Sequence, residues 1–146
     1  INLNEQSTEL RIKVKKILVN AYKNKKNYYQ SLLELNSLIE ITESDSDNYF
    51  SLLAMKANLL FLEGKYEASN KIYKQLASTY PSHSIDEKLF LQILANYEAM
   101  GAYDQAIRVL EVSLPKHLDH KKFIESKLNR LKDLKKNMPG ARGLRR

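Results

Sequence analysis

Two stretches of similar sequence, Glu63-Gly64-Lys65-Tyr66-Glu67-Ala68 and Met100-Gly101-Ala102-Tyr103-Asp104-Gln105-Ala106, decide the fold of this chain. In both, a glycine follows one amphipathic pattern, a tyrosine two residues later begins the next, and the glycines lie 37 residues apart. Each stretch therefore predicts a short turn between two helices. Because a single helical hairpin cannot bury its own apolar face, repeated hairpins are expected to stack as a solenoid.

Apolar residues recur at intervals of three and four through most of the chain, which predicts seven helices. They are expected over residues 5–22, 28–43, 47–62, 66–79, 85–100, 103–114 and 119–137. The polar cluster 44–48 offers N-cap residues to the third helix, and Asp119 is expected to cap the last one. Pro81 and Pro115 are expected to end the fourth and sixth helices, because a proline disfavours helical geometry in the preceding residue.

These elements predict one all-α domain over residues 1–137. It would contain hairpins over about 5–43, 47–80 and 85–114 and a capping helix over about 119–137, followed by a flexible basic tail at 138–146. The first helix shows one apolar face, which contains Leu10, Val14, Ile17, Leu18, Ala21 and Tyr22. This spacing indicates an amphipathic helix.

The composition of the 146 residues favours a soluble globular domain. No apolar run approaches the roughly 20 residues needed to span a bilayer, and the absence of cysteine excludes disulfides and thiolate chemistry. Because the sequence begins at Ile1 and has no signal-peptide pattern, we interpret it as a piece of a longer protein. The cellular compartment is left open.

The net charge of +7 is unevenly placed along the chain. Residues 1–26 carry +5, residues 27–120 carry −6 and residues 121–146 carry +8. A partner attracted by long-range electrostatics is therefore expected to approach the two basic segments first.

The two glycine-centred units resemble tetratricopeptide repeats, a family of helical hairpins of about 34 residues. With Gly64 at the turn, the residues at the packing positions of that family are Leu53, Ala57, Leu60, Tyr66, Ser69, Tyr73 and Leu76, and Pro81 stands at the repeat end. The unit around Gly101 is similar, except that Leu94 replaces a small residue. Lys26 stands at the turn of the first hairpin, which makes that hairpin a degenerate repeat. By the resemblance, its packing positions are Leu18, Val19, Tyr22, Tyr28, Ser31, Leu35 and Leu38.

The resemblance covers about residues 10–115 and implies a right-handed superhelix, or α-solenoid, of antiparallel hairpins. The alternative is a generic antiparallel helical bundle, which apolar periodicity alone would also permit. The repeated Gly-x-Tyr pattern and the shared hairpin length favour the repeat.

Tetratricopeptide arrays bind an extended peptide or a helix on the concave surface lined by the first helix of each hairpin. The resemblance therefore implies a non-catalytic interaction module, or adaptor, for a protein partner. Its expected partner-binding residues are Lys16, Asn20, Met55, Asn58, Phe61, Leu62, Lys88, Leu91 and Gln92. The apolar members of this set favour an amphipathic partner helix, unless a terminal helix of the same chain covers them.

Some members of the family hold the acidic C-terminal tails of heat-shock chaperones in a clamp of five polar residues. By the resemblance, Lys16, Asn20 and Lys88 match that pattern, whereas Met55 and Gln92 stand where it has asparagine and a basic residue. An incomplete clamp is one alternative, and a solvated surface is the other. Self-association through an exposed end repeat is a further alternative.

The last predicted helix offers a different kind of partner, nucleic acid or an anionic membrane. The basic residues that would make this contact are Lys127, Arg130, Lys132, Lys135 and Lys136. The usual meaning of such a run is a solvated helix face, and Phe123 is the one aromatic residue there that could stack on a base.

No phosphate-binding loop, nucleophile elbow or paired His-Glu metal motif occurs in the sequence. The three histidines, His83, His117 and His120, lie at predicted turns or helix starts. We therefore expect no catalytic residue, no metal site, no cofactor and no small-molecule substrate.

Overall fold

The computed structural model describes residues 3–44, 46–79 and 87–137, and within these ranges the chain forms seven α-helices and no β-strand. The helices are α1 (Leu3–Asn24), α2 (Tyr28–Glu40), α3 (Asp47–Leu62), α4 (Tyr66–Thr79), α5 (Glu87–Ala99), α6 (Tyr103–Ser113) and α7 (Lys121–Lys136). Two short 3-10 helices, Leu114–Lys116 and Leu118–His120, connect α6 to α7. The predicted all-α class is confirmed, and helix bounds agree with the sequence pattern to within a few residues.

The chain forms two compact units, the first ending at Leu76 and the second beginning at Ala77. The single domain and the superhelix predicted from the sequence stay predictions. Pro81, the expected start of the fifth helix at residue 85 and the basic tail at 138–146 lie outside the described residues.

The same backbone turn joins the helices of all three hairpins. In the second hairpin, the N–H of Gly64 donates to the carbonyl of Phe61 at 3.0 Å, and the N–H of Lys65 donates to the carbonyl of Leu60 at 2.8 Å. This pair of bonds is the Schellman motif, which satisfies carbonyls that a helix end otherwise leaves unpaired.

In the first hairpin, the N–H of Lys26 donates to the carbonyl of Lys23 and the N–H of Asn27 donates to the carbonyl of Tyr22, both at 2.9 Å. In the third hairpin, the N–H of Gly101 donates to the carbonyl of Glu98 at 3.0 Å and the N–H of Ala102 donates to the carbonyl of Tyr97 at 2.8 Å. The central residue has a positive φ each time: 61° at Lys26, 84° at Gly64 and 68° at Gly101. Lysine therefore adopts, at some cost, the left-handed conformation for which the later hairpins use glycine.

A buried serine ties the two helices of the first and second hairpins together. The Ser31 hydroxyl donates to the Val19 carbonyl at 2.7 Å, and 38 residues later the Ser69 hydroxyl donates to the Ala57 carbonyl at 2.6 Å. Both serines are fully buried. In the third hairpin Ala106 stands at the serine position, where it packs without a hydroxyl.

The core of the first unit combines side chains from α1, α2 and α3: Val19, Leu32, Leu35, Leu38, Leu52, Leu59 and Leu60. On α4, burial raises the pKa of the Tyr73 phenol, which keeps that side chain neutral in the core. In the second unit, the buried apolar residues on α5, α6 and α7 are Ile93, Leu94, Tyr97, Ala106, Leu110, Ile124, Leu128 and Leu131.

The face of α1 that packs on the core differs from the predicted apolar face. Val19 is fully buried and Ile12 packs against the core cluster, whereas Leu10, Val14 and Ile17 are 64%, 47% and 67% exposed. Periodicity alone does not say which side of α1 meets α2, because α1 carries apolar residues on two sides, but the repeat pattern correctly places Val19 at a packing position.

The predicted caps had two different outcomes. Ser46, in the predicted polar cluster, caps α3 by accepting a hydrogen bond from the N–H of Tyr49 at 3.2 Å. The cap predicted at Asp119 was wrong, because the residue lies inside a 3-10 helix and His120 is the N-cap of α7. The Asp119 carboxylate instead lies 3.2 Å from Nε2 of His120.

Among the described residues, none of the helices combines the length and the apolar character needed to cross a lipid bilayer.

Replacing Lys26 with glycine is expected to stabilise the first unit. Glycine removes the strain of a positive φ but gains freedom in the unfolded chain, so the net gain in unfolding free energy is roughly 0.5–1 kcal/mol. Urea denaturation followed by circular dichroism measures this gain. Lys26→Ala is the matched control, since it removes the charge and keeps the strain. An equal gain in the alanine variant would contradict the backbone explanation.

Each of Ser31→Ala and Ser69→Ala is expected to lower the free energy of unfolding by about 1 kcal/mol, the usual net worth of a buried hydrogen bond. Ser51→Ala, on the exposed side of α3, is the control and should change little. Thermal and urea unfolding would both report the difference. Stability unchanged in the two buried variants would show that the hydroxyls contribute nothing beyond packing.

Candidate protein-interaction surface

The predicted partner-binding residues divide between the two units. Lys16, Asn20, Met55, Asn58, Phe61 and Leu62 lie in the first unit, on α1 and α3, whereas Lys88, Leu91 and Gln92 lie on α5 in the second unit. The surface is therefore described one unit at a time.

On α1, Lys16 and Asn20 are both exposed. They are four residues apart, so they lie on one face of the helix and one turn from each other. An ammonium and an amide in this arrangement can both donate hydrogen bonds to carboxylate or carbonyl oxygens. This pair is therefore suited to an acidic or extended peptide.

On α3, the four candidates differ in how much of each side chain is available. Met55 is half-buried and packs against the core cluster, so much of its surface is already used inside the unit. Asn58 and Phe61 are half-buried, and Leu62 is 40% exposed. Asn58, Phe61 and Leu62 thus give this end of α3 one amide and two apolar side chains that a partner can reach.

The turn after α3 also holds Phe61 in place. Its ring meets the ring of Tyr66, the first residue of α4, edge to face with centroids 5.3 Å apart and planes at 61°. This geometry is a favoured one for aromatic pairs. Because Gly64 sets the turn between the two helices, it also places the Tyr66 ring against the Phe61 ring.

On α5, Lys88 and Leu91 are exposed and Gln92 is half-buried. Their spacing of three and four places them on one face of the helix. The backbone carbonyl of Gln92 accepts a hydrogen bond from Nδ2 of the buried Asn96 at 3.1 Å. The face of α5 that contains Leu91 therefore presents a mixed polar and apolar surface.

The five clamp positions include residues from both units: Lys16, Asn20 and Met55 in the first, and Lys88 and Gln92 in the second. Of these, Met55 has an apolar side chain that packs on the core, so it supplies no hydrogen-bonding group for a carboxylate. The clamp stays a prediction.

The basic residues of α7 have acidic neighbours within the second unit. Arg130 lies 3.2 Å from Glu98 on α5, Lys132 lies 3.7 Å from Glu111 on α6, and Lys135 pairs with Asp104 on α6. Lys127 lies over the Phe123 ring, 5.9 Å from its centroid, and Lys136 is exposed. These pairs could not be predicted from the sequence, because apolar periodicity gives the bounds of α7. It does not say which acidic residues of α5 and α6 lie beside its basic face.

These pairs give three of the five predicted polyanion-binding residues a structural role. Each pair is at least partly open to solvent, with side-chain exposures of 57% and 24% for Arg130 and Glu98. Such pairs contribute modestly to stability and are screened by salt. Contact of α7 with nucleic acid or a membrane stays a prediction.

In the described part of the chain, no group of three or more histidine, aspartate or glutamate side chains is arranged to hold a metal ion.

Comparison with known proteins found no matching family model, and neither a curated protein nor a solved structure is significantly similar to this chain.

Reversing the charge of Arg130 is expected to test whether α7 is held partly by ion pairs. Arg130→Glu should lower the free energy of unfolding by less than about 1 kcal/mol, because the pair with Glu98 is exposed. Combining it with Glu98→Arg should restore most of this loss at low salt. A double variant that is no better than the sum of the single changes would show that the two side chains do not interact.

Proposed function

We propose that this chain is a non-catalytic protein-interaction module of the tetratricopeptide kind, which binds a peptide or an amphipathic helix on the first helices of its hairpins. The observation that carries the proposal is the repetition of hairpin geometry together with side chains left accessible on α3 and α5. A repeated hairpin supplies a rigid frame, and residues on rigid elements bind with little loss of entropy.

Repetition of one polar residue supports an extended peptide as the ligand, because the backbone groups of an extended chain are free to accept and donate hydrogen bonds. Asn20 on α1 and Asn58 on α3 occupy equivalent places, 38 residues apart, and each lies outside the buried core. An asparagine amide can both donate to and accept from the backbone of a bound peptide. Equivalent amides on neighbouring hairpins can thus engage successive peptide groups, whatever the ligand sequence.

Partly exposed apolar residues on α3 and α5 would provide specificity. Phe61 and Leu62 close to Asn58, and Leu91 on α5, are partly exposed and could accept apolar side chains of the ligand. A large aromatic side chain that is only partly buried is typical of the anchors that dominate protein interfaces. An amphipathic helix with spaced apolar residues supplies such side chains.

The proposal is tested by capture from source lysate at high salt after nuclease treatment, followed by direct binding of the captured protein in purified form. Asn58→Ala combined with Leu91→Ala is expected to weaken the measured affinity by about tenfold or more, which corresponds to about 1.4 kcal/mol. Leu33→Ala combined with Val112→Ala is the matched control, since Leu33 on α2 and Val112 on α6 are 47% and 53% exposed and belong to neither α3 nor α5.

Circular dichroism and urea unfolding should show that both variants stay folded. Equal affinity of the two variants would contradict binding through α3 and α5. Capture that is lost at high salt or after nuclease treatment would favour the basic residues of α7 and a polyanion instead.

A further inference from the structure

The side of α1 that faces away from α2 carries an uncovered apolar stripe, formed by Leu10, Val14, Ile17 and Ala21. These residues are spaced by four, three and four, so they lie in one row along the helix. All four are exposed, and the row lies on the side of α1 opposite the buried Val19. The stripe is therefore separate from the face that builds the core.

The repeat itself shows what kind of element fits such a stripe. On α3, the residues 38 positions after Val14, Ile17 and Ala21 are Leu52, Met55 and Leu59. Leu52 and Leu59 are 2% and 1% exposed, and Met55 packs against the same cluster. These equivalent positions are covered by α2, whose leucines Leu32, Leu35 and Leu38 belong to that cluster. An amphipathic helix is thus the element that covers this face in the next hairpin.

The charge around the stripe selects among possible helices. Arg11 and Lys13, both exposed, lie on its two sides, and α1 carries more basic than acidic residues. The neighbouring basic residue on the core side, Lys15, is already paired with Glu34 of α2 at 3.3 Å. Acidic residues beside the apolar row of an incoming helix would pair with Arg11 and Lys13, as flanking charges do in coiled coils.

We propose that the Leu10–Ala21 stripe is a docking site for an acidic amphipathic helix of another protein. A second copy of this chain is a poorer occupant. Paired α1 helices would bring Arg11 and Lys13 of each copy close to the basic middle of the other. Helix α7 is basic too, so a stack of α7 on α1 would also place like charges together. This site adjoins the groove proposed above on α1, since Ile17 lies three residues before Asn20, but it does not rest on the proposed function.

Binding of a designed probe to the full chain tests the proposal. The probe is a synthetic helical peptide with leucine at alternating intervals of three and four and glutamate on both sides of the leucine row. A second peptide with lysine in place of every glutamate is its control. Fluorescence anisotropy should show binding of the glutamate peptide and weaker or no binding of the lysine peptide.

The variant Val14→Gln/Ile17→Gln should weaken binding of the glutamate peptide by at least about tenfold, since two exposed aliphatic contacts are lost. Glutamine preserves helix propensity, so α1 is expected to remain folded. The control is Leu33→Gln/Leu118→Gln, because Leu33 and Leu118 are 47% and 69% exposed and Val14 and Ile17 are 47% and 67% exposed. This control should alter affinity by less than about twofold. Arg11→Glu/Lys13→Glu should reverse the preference between the two peptides.

Three results would overturn the proposal. The first is equal loss of affinity in the stripe variant and its control, or no binding of the glutamate peptide at all. The second is binding to phosphatidylserine vesicles that depends on Val14 and Ile17 while the peptide does not bind, which would indicate a membrane surface. The third is a dimer in analytical ultracentrifugation that the stripe variant abolishes, which would indicate a second copy.

Discussion

Each hairpin of this chain depends on one residue that must adopt a positive φ between its two helices. At Lys26, Gly64 and Gly101 this conformation lets two backbone N–H groups turn back to the carbonyls of the preceding helix. A hairpin without these bonds would leave helix-end carbonyls unpaired and the second helix without a fixed direction. The constraint acts on the backbone alone, since a Cβ built at Gly64 or Gly101 meets nothing within 4 Å.

The conformation of the turn determines which residues of the two helices of a hairpin face each other, and therefore which side chains are in contact. The turn brings Ser31 within 2.7 Å of the Val19 carbonyl and Ser69 within 2.6 Å of the Ala57 carbonyl, at the same place in successive hairpins. A small residue on one helix is needed for this close approach. In the third hairpin Ala106 leaves out the hydrogen bond, and the larger Leu94, 2% exposed, lies at the position of Ala57. Hairpins with the same turn can therefore pack with different contacts.

Local signals in the sequence predicted most of the helices, and non-local contacts explain what it missed. Gly64 and Gly101 act within a few residues of their own position, so their roles could be predicted directly, and the cap of α3 could be predicted only to within the polar cluster 44–48 that contains Ser46. Periodicity alone could not identify the buried side of α1, because Leu10 and Val19 are equally apolar, and it was the repeat pattern that placed Val19 at a packing position. Among the candidate residues, Asn20 and Leu91 proved exposed, whereas Met55 packs on the core, which its type alone does not reveal.

The two basic segments of the chain show that the role of a basic residue depends on which residues lie beside it. On helix α7, Arg130, Lys132 and Lys135 lie beside acidic residues of α5 and α6, so these charges are paired within the second unit. Helix α1 uses Lys15 in the same way against Glu34. Arg11 and Lys13, in contrast, lie beside exposed apolar residues. A charge next to an uncovered apolar row can add to the binding of a partner, whereas a charge already paired within the unit must first give up its ion pair. The segment with the smaller net charge is therefore the better candidate for recognition.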